Sequence, residues 1–183
     1  PDINRSELPF VVQPDGVRFG LGAVKGAGQG AITSVLETRR ALGGTITSLF
    51  ELVEHVDLRL VNKKVLEALI KAGAFDELAP QGREDYRAWR ARLVAGLDRV
   101  LDHGSRHQKD RSQGQEMLFG GGDAAHAPDD EGAMPAVRPW TDTEALAGEK
   151  DALGLYLTGH PLRRYAVALA AAGAKPLSAL TQS

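Results

Sequence analysis

The chain has 183 residues, with 22 Lys and Arg against 24 Asp and Glu, so its formal net charge is −2. Hydrophobic residues make up 43% and charged residues 25%, which is typical of one globular domain or two small ones. No segment reaches the ~20 consecutive apolar residues of a membrane helix, and there is no cysteine. These features exclude a membrane protein, a disulfide-stapled fold and a thiolate zinc site, and they predict a cytoplasmic location.

Charge is distributed unevenly along the chain. Residues 79–112 carry eight Arg and Lys against five Asp and Glu, a balance of +3. Residues 113–151 carry two basic and nine acidic residues, a balance of −7. The near-neutral total therefore hides a basic part, which suits a polyanion, and an acidic part, which does not.

A β-hairpin is predicted near the N-terminus. The turn Pro14-Asp15-Gly16 has a proline that presets φ and a glycine that accepts positive φ. Apolar residues alternate with others on both sides of this turn, as strands require. They are Phe10, Val12, Val17 and Phe19.

Helices are predicted over most of the remaining sequence. A Gly-rich stretch over residues 20–30 precedes apolar residues at helical spacing, and that helix should stop at Gly43-Gly44. Ser48 and Asn62 are suited to cap two further helices, and Thr141 with Glu144 has capping-box spacing. The later helices are predicted from about 83 to 103, from Thr141 to about 159, and over 162–172.

Between residues 105 and 139 the helical pattern disappears and polar, Gly, Ala, Asp and Pro residues dominate, which predicts a disordered linker. One apolar island interrupts it, at Gln115 to Phe119. Burial of Leu118 and Phe119 against a partner would contribute ~3–6 kcal/mol before ordering costs, which suits a weak, reversible tether. Docking of the island onto the chain's own helices is the alternative.

The turn Val24-Lys25-Gly26-Ala27-Gly28 is the first candidate site. It leaves unpaired amide groups at the start of the following helix, where the partial positive charge of the helix end favours a phosphate oxygen. This is the chemistry of a helix-hairpin-helix motif, which holds a nucleic-acid backbone without reading its sequence. The dinucleotide fingerprint fits less well, because no βαβ unit surrounds these glycines.

A second turn of the same type, Ile70-Lys71-Ala72-Gly73-Ala74, follows 46 residues later. Two such units can pack as a pseudo-symmetric pair that presents one hairpin to each strand of a duplex. The alternative is that the glycines only end helices, since Gly is the usual residue there.

No metal site and no catalytic cluster is predicted. His103 and His107 stand at i, i+4 but lack a third ligand at a suitable spacing, so a solvated pair is expected. The acidic run at 129–131 lies in the linker and is expected to be solvated as well.

Several sequence blocks follow one another over nearly the whole chain, except for residues 121–139. They are Pro1 to Ser6, Val17 to Leu21, Val24 to Gly28, Asn62 to Lys64 with Leu66-Glu67, Leu69 to Asp76, Gly114 to Gly120, and Glu149-Lys150 with Leu153 to Leu162. In this order the blocks resemble those of the bacterial DNA polymerase III alpha subunit family.

The resemblance implies a mainly α fold, with a tandem helix-hairpin-helix domain, a short N-terminal β-hairpin, a disordered linker and C-terminal connector helices. Its implied parts are the end of the fingers region (1–20), the tandem helix-hairpin-helix domain (21–112), a sliding-clamp motif (113–120), a flexible acidic linker (121–139), and a connector toward an OB-fold (140–183). The family's palm aspartates, which bind Mg²⁺ and carry out nucleotidyl transfer, have no counterpart in this sequence. Because the first residue is not Met, we expect a segment of a longer polymerase, without cofactor or activity of its own.

The resemblance also implies the binding residues. One DNA strand would be held by Lys25, Gly26, Ala27, Gly28 and Gln29. The other strand would be held by Lys71, Ala72, Gly73 and Ala74. The sliding clamp would bind Gln115, Met117, Leu118 and Phe119. Duplex DNA, the sliding clamp and other replisome subunits are therefore the expected partners, with no membrane.

Three other interpretations remain open at this point. The chain could be a stand-alone helix-hairpin-helix module of a repair or recombination scaffold, or an interaction domain whose glycines only end helices. It could also come from an error-prone paralogue of the same polymerase.

Overall fold

A computed structural model describes residues 1–80, 85–112 and 134–174. Two short strands form an antiparallel hairpin, β1 (Val11–Gln13) and β2 (Gly16–Arg18), in which Val12 pairs with Val17. Six α-helices follow within these ranges: α1 (Gln29–Ala41), α2 (Leu49–His55), α3 (Lys63–Lys71), α4 (Tyr86–Ser112), α5 (Asp142–Leu153) and α6 (Ala166–Ala171). Short 3₁₀ turns cover Leu21–Ala23, Asp76–Leu78 and Pro161–Tyr165. The mainly α prediction and the N-terminal hairpin are confirmed.

The predicted helix caps are confirmed in detail. The Ser48 hydroxyl accepts the amide of Glu51 at the start of α2, and the Asn62 side chain accepts the amide of Val65 at the start of α3. Thr141 and Glu144 form the complete capping box of α5. These starts could be predicted because a cap depends on residues within one turn of each other.

One continuous core joins α1 to α4 and the end of α5, with α4 packed against both α2 and α3. The Trp89 side chain is fully buried, and its indole N–H donates to the Phe75 carbonyl at 2.9 Å. Leu93, Leu97 and Val100 continue the buried stripe along α4. The core therefore extends over α1 to α4, and α3 also contacts α5. No helix in the described ranges is long and apolar enough to cross a bilayer.

Helix α4 is longer than predicted, because it continues through Ser112 rather than ending near His103. Its last turns are polar, which is why the sequence pattern assigns them to the linker. The Gln108 side-chain amide donates to the carbonyls of Val53 and Val56 at 2.7 and 2.9 Å. This bond to the end of α2 holds a segment that hydrophobic periodicity could not identify.

Part of the predicted linker is packed against α4. Met134 is 6% exposed, and it lies so close to Gly96 that a side chain there would overlap its sulfur. The Trp140 amide donates to the Arg87 carbonyl at 3.3 Å, so residues 134–140 follow α4. The rest of that prediction, residues 113–133, lies outside the described residues.

Helix α5 is shorter than predicted and ends at Leu153, not near residue 159. Gly154 follows it with φ +79°, the left-handed conformation that commonly ends a helix. Leu157 and Thr158 then turn back and donate their amides to the Glu149 carboxylate at 2.8 and 3.1 Å.

Candidate nucleic-acid interface

The first predicted hairpin turn lies on the surface. Lys25, Gly26, Gly28 and Gln29 are exposed, and Gly26 adopts the left-handed φ of +86° that reverses the chain. Gly28 is the N-cap of α1 and offers no side-chain oxygen to the first amides of that helix. Those amides, with the partial positive charge of the helix end, are suited to a phosphate oxygen.

Ala27 differs from its neighbours because it is 6% exposed and belongs to the core. The amide of Lys25 is also committed to the protein, since it donates to the Ala152 carbonyl at 2.8 Å. The turn can therefore meet a ligand with the Lys25 side chain and with the start of α1 at 28–30.

Lys25 and Gly26 line a surface depression of about 310 Å³ together with Lys64 and Lys71. Lys64 is exposed in the first turn of α3, where a cation opposes the positive end of the helix. Sequence reasoning overlooked Lys64, although the pair Lys63-Lys64 directly after a helix cap is the signal that could have found it. The Lys71 ammonium is bonded to Glu67 at 2.6 Å, so its charge is partly neutralised.

The second predicted turn is not presented to solvent, which corrects the expectation that it faces a DNA strand. Ala72 and Ala74 are each 1% exposed, and Gly73 is buried between them. The amides of residues 72–74 donate to carbonyls of α3, and the Ala74 carbonyl accepts the amide of Ile3. Of the residues predicted in this turn, only Lys71 is partly exposed.

The two turns also align differently from the predicted repeat. Gly26 and Gly73 are the left-handed residues of the two turns, with φ of +86° and +83°. They occupy the third and fourth positions of the matched five-residue blocks, so the structural repeat is displaced by one position. Lys25 directly precedes its glycine, whereas Lys71 stands one residue further away and on the end of α3.

A buried ion network covers the second turn. The Arg90 guanidinium is bonded to Asp76 at 2.5 and 2.8 Å and to Glu149 at 3.0 Å. The Arg90 and Glu149 side chains are 3% and 0% exposed. The Arg90 side chain therefore points into the protein and joins α4, the second turn and α5.

The ionisation of this network follows from its partners. Burial would raise the pKa of Glu149, but the amides of Thr158 and Leu157, with Arg90, outweigh burial and hold the pKa below its usual value. Burial raises the pKa of Asp76 despite its bonds to Arg90. Burial would lower the pKa of Arg90, but the two carboxylates raise it, so the guanidinium stays charged.

The two α4 histidines do not form the solvated pair that the sequence predicted. His103 Nε2 lies 2.6 Å from Glu54 Oε1, and its ring packs edge-on against Phe50. His107 stacks on His103 with ring centroids 6.3 Å apart. In residues 1–80, 85–112 and 134–174 no group of three or more His, Asp or Glu is arranged to hold a metal ion.

The predicted clamp-binding residues lie outside the described residues. They are Gln115, Met117, Leu118 and Phe119.

Comparison with known proteins defines the class of this fold. Residues 1–85 match the family described as the Helix-hairpin-helix motif. This segment contains the exposed first turn, the buried second turn and helices α1 to α3. The match covers 85 of the 183 residues, and it agrees with the predicted helix-hairpin-helix class for this part of the chain.

The chain as a whole matches a fragment of the DNA polymerase III alpha subunit. It is 40% identical to DNA polymerase III subunit alpha of Pseudomonas aeruginosa over 173 residues, which cover 90% of this chain and 15% of that protein. It is 39% identical to the same subunit of Haemophilus influenzae and of Escherichia coli K12, again over 90% of this chain and over 14% and 13% of theirs. The chain thus spans only a small part of the length of these relatives.

Proposed function

We propose that this chain is the DNA-gripping segment of a replicative DNA polymerase, and that it holds duplex DNA through backbone phosphates. The observation that carries the proposal is the exposed start of α1, where Gly28 leaves the first helical amides without a side-chain cap. Lys25 stands three residues before Gly28, and Lys64 lines the same depression as Lys25 and Gly26, so two ammonium groups border this turn. The carboxylates of Glu67 and Asp151 line that depression as well. Amides and ammonium groups of this kind contact phosphates and read no bases, so the binding is sequence-nonspecific.

The structure changes which residues carry this proposal. Lys25, Gly26, Gly28 and Gln29 remain in it because they are exposed, and Lys64 is added. Gly73 and its two alanine neighbours support the fold instead, because their amides are already bonded within the protein. The geometry therefore supports duplex binding through one exposed hairpin turn and two lysines.

The remaining parts of the proposal concern the longer protein. Its relatives are named DNA polymerase III subunit alpha, and the similarity extends over 90% of this chain, beyond the helix-hairpin-helix residues. This extent favours a polymerase segment over a stand-alone module. Nucleotidyl transfer with Mg²⁺, contacts with other replisome subunits and a cytoplasmic location are proposed for that polymerase.

We also propose that Gln115, Met117, Leu118 and Phe119 tether the polymerase to its sliding clamp. Two large apolar side chains in a polar, acidic stretch gain free energy only when a partner or a pocket covers them. A glutamine amide beside them can bond a partner's backbone. These residues follow α4 directly in the chain, so the proposed tether starts at the end of the longest helix.

The DNA grip predicts a specific response to charge reversal. The double variant Lys25→Glu/Lys64→Glu is expected to weaken binding of a 20-base-pair duplex by about tenfold or more, because two phosphate contacts become repulsive. The slope of log K against log salt should fall by about 2. Fluorescence anisotropy of a labelled duplex across a salt series measures both quantities.

The matched control is Lys109→Glu/Arg111→Glu, which makes the same charge change on exposed residues at the end of α4. We expect this control to keep most of the slope of log K against log salt that the unmodified chain shows. Equal losses in the two variants would contradict an interface at the first hairpin.

The clamp tether predicts that Leu118→Ala/Phe119→Ala weakens binding of this chain to the sliding clamp by about 2 kcal/mol or more, or roughly 30-fold. Surface plasmon resonance with immobilised clamp measures the change. The control Asp129→Ala/Asp130→Ala alters the same stretch without removing an apolar anchor. Unchanged clamp affinity in the first variant would refute the tether.

A further inference from the structure

A second surface site lies away from the proposed duplex grip. The first turn of α4, helix α5 and residues 156–164 enclose a cleft of about 630 Å³, which is in the size range of small-ligand sites. It shares no lining residue with the depression at Lys25 and Lys64. Neither the proposed grip nor the proposed tether uses it.

The cleft is held open by hydrogen bonds of its own walls. The buried Glu149 carboxylate accepts the amides of Leu157 and Thr158, which fixes the segment that forms one wall. The Tyr86 hydroxyl on α4 is bonded to the Thr158 hydroxyl at 3.3 Å. The His160 ring accepts the amide of Leu162 and so caps the following 3₁₀ turn. The cleft is therefore preformed, and a ligand would not have to order it.

Its walls offer aromatic surface. Tyr86, Tyr156 and His160 all line the cleft. Arg90 lies over one face of the Tyr86 ring, 4.8 Å from its centroid, so a ligand could use only the rest of that ring. Tyr156 and His160 meet edge to face with centroids 5.5 Å apart and form a second aromatic element. Planar rings in a groove are the surface on which nucleobases stack.

The side chains that line the cleft also carry more positive than negative charge. Two carboxylates, Asp85 and Asp142, are bonded to Arg87 at 2.5 Å and compensate its charge. The Arg163 guanidinium has no ion-pair or hydrogen-bond partner among the residues that the structure describes. Arg164 makes one long contact to the Thr143 hydroxyl, at 3.4 Å, and lies over the Tyr165 ring. Two guanidinium groups are thus available to an anion at one end of an aromatic cleft.

We propose that this cleft binds a nucleotide unit, with its phosphate at Arg163 and Arg164 and its base against Tyr156 and His160. Guanidinium groups match the geometry of phosphate oxygens, and aromatic rings supply base stacking. The same chemistry is offered by one nucleotide of a single DNA strand and by a free nucleotide. This is a function beyond the duplex grip, since a base in a paired duplex has no free face for these rings.

The test compares three ligands on the 183-residue chain. Labelled dT12 is followed by fluorescence anisotropy, dTMP by shifts of backbone amide signals in NMR spectra, and a labelled duplex serves as the third. The variant Arg163→Glu/Arg164→Glu removes the proposed phosphate contacts, and Tyr156→Leu removes stacking without changing charge. The matched control Arg106→Glu/Arg111→Glu makes the same charge change on exposed residues of α4.

We expect Arg163→Glu/Arg164→Glu to weaken dT12 binding at least tenfold, Tyr156→Leu about fivefold, and the control less than threefold, with duplex affinity nearly unchanged in the first two. Shifts of the amide signals of residues 156–164 by dTMP would identify a free nucleotide as a ligand, and binding of dT12 without such shifts by dTMP would identify a strand. Absence of binding by both probes, or equal losses in the charge variant and its control, would overturn the proposal. Absence of duplex binding by the unmodified chain, together with the expected binding of dT12, would contradict the proposed grip and leave this cleft supported.

Discussion

Replacement of Glu149 by Ala is expected to lower the free energy of unfolding by about 3–5 kcal/mol, the range for removal of one partner from a buried ion pair. The Glu149 carboxylate is fully buried and bonds Arg90 at 3.0 Å. It also accepts the amides of Leu157 and Thr158, so three donors lose their acceptor in the variant, among them the buried Arg90 guanidinium. Urea unfolding followed by far-UV circular dichroism measures the loss.

Two comparisons sharpen this prediction. Asp151→Ala removes an exposed carboxylate from the same helix and should change the unfolding free energy by less than about 0.5 kcal/mol. Glu149→Gln keeps the volume of the side chain and one acceptor oxygen, so its loss of unfolding free energy should lie between those of the other two variants. A Glu149→Ala variant as stable as Asp151→Ala would show that the network does not hold α5 to α4.

The Glu149 contribution should also depend on pH. Its pKa is lowered in the folded protein, so its stabilising effect is fully present above the ordinary value of 4.5 and is lost as the pH falls through the folded pKa. The pKa of Asp76 is raised, so Asp76 contributes in the opposite direction, but burial is the largest cause and acts in both proteins. We therefore expect the stability difference between the wild type and Glu149→Ala to shrink below about pH 4.5. A difference that grows on acidification would contradict this assignment.

Replacement of Gly73 by Ala is expected to destabilise the protein by about 3 kcal/mol or more. A left-handed backbone costs about 1–2 kcal/mol for a residue with a Cβ, and Gly73 has φ +83°. In addition, the new methyl group would overlap the Arg90 guanidinium and approach the Asp76 carboxylate to 2.9 Å. Because Asp76 and Glu149 hold the Arg90 guanidinium in place, Arg90 cannot move away from the methyl group without losing buried ion pairs.

Gly26→Ala is the matched control, because Gly26 has nearly the same φ of +86° in the first turn. A Cβ there meets only the Ala68 methyl group, at an ordinary 3.7 Å. We expect a loss of about 1–2 kcal/mol in this variant, the cost of the backbone conformation by itself. Thermal unfolding of both variants separates the two contributions, and equal losses would refute the role of Arg90 above the second turn.

Much of the local structure could be predicted because its causes lie close together in sequence. The hairpin around 14–16, the stop of α1 at Gly43-Gly44 and the caps at Ser48, Asn62 and Thr141 each depend on a few neighbouring residues. The end of α4 could not be predicted in this way. Gln108 stabilises it by bonding a helix that lies about 50 residues earlier in the chain.

The same contrast applies to the candidate interface. The exposed turn at Lys25 to Gln29 was predicted from its glycines, because the unpaired amides at a helix start follow from local backbone geometry. Lys64 was missed, because only the packing of α3 beside the first turn places it in the same depression. The second turn has the composition of the first, yet the side chains of Arg90 and Asp76 lie over its Gly73.

The sequence by itself determined the family resemblance, the mainly α class, the helix starts and the presence of two glycine turns. Capping, turn chemistry and hydrophobic spacing act over a few residues, so their results can be read along the chain. Only the tertiary structure decided which turn is exposed, which arginine is buried and where the basic and aromatic groups of the cleft meet. Those outcomes depend on burial and on ion pairs such as Arg90 with Glu149, which join residues 59 positions apart.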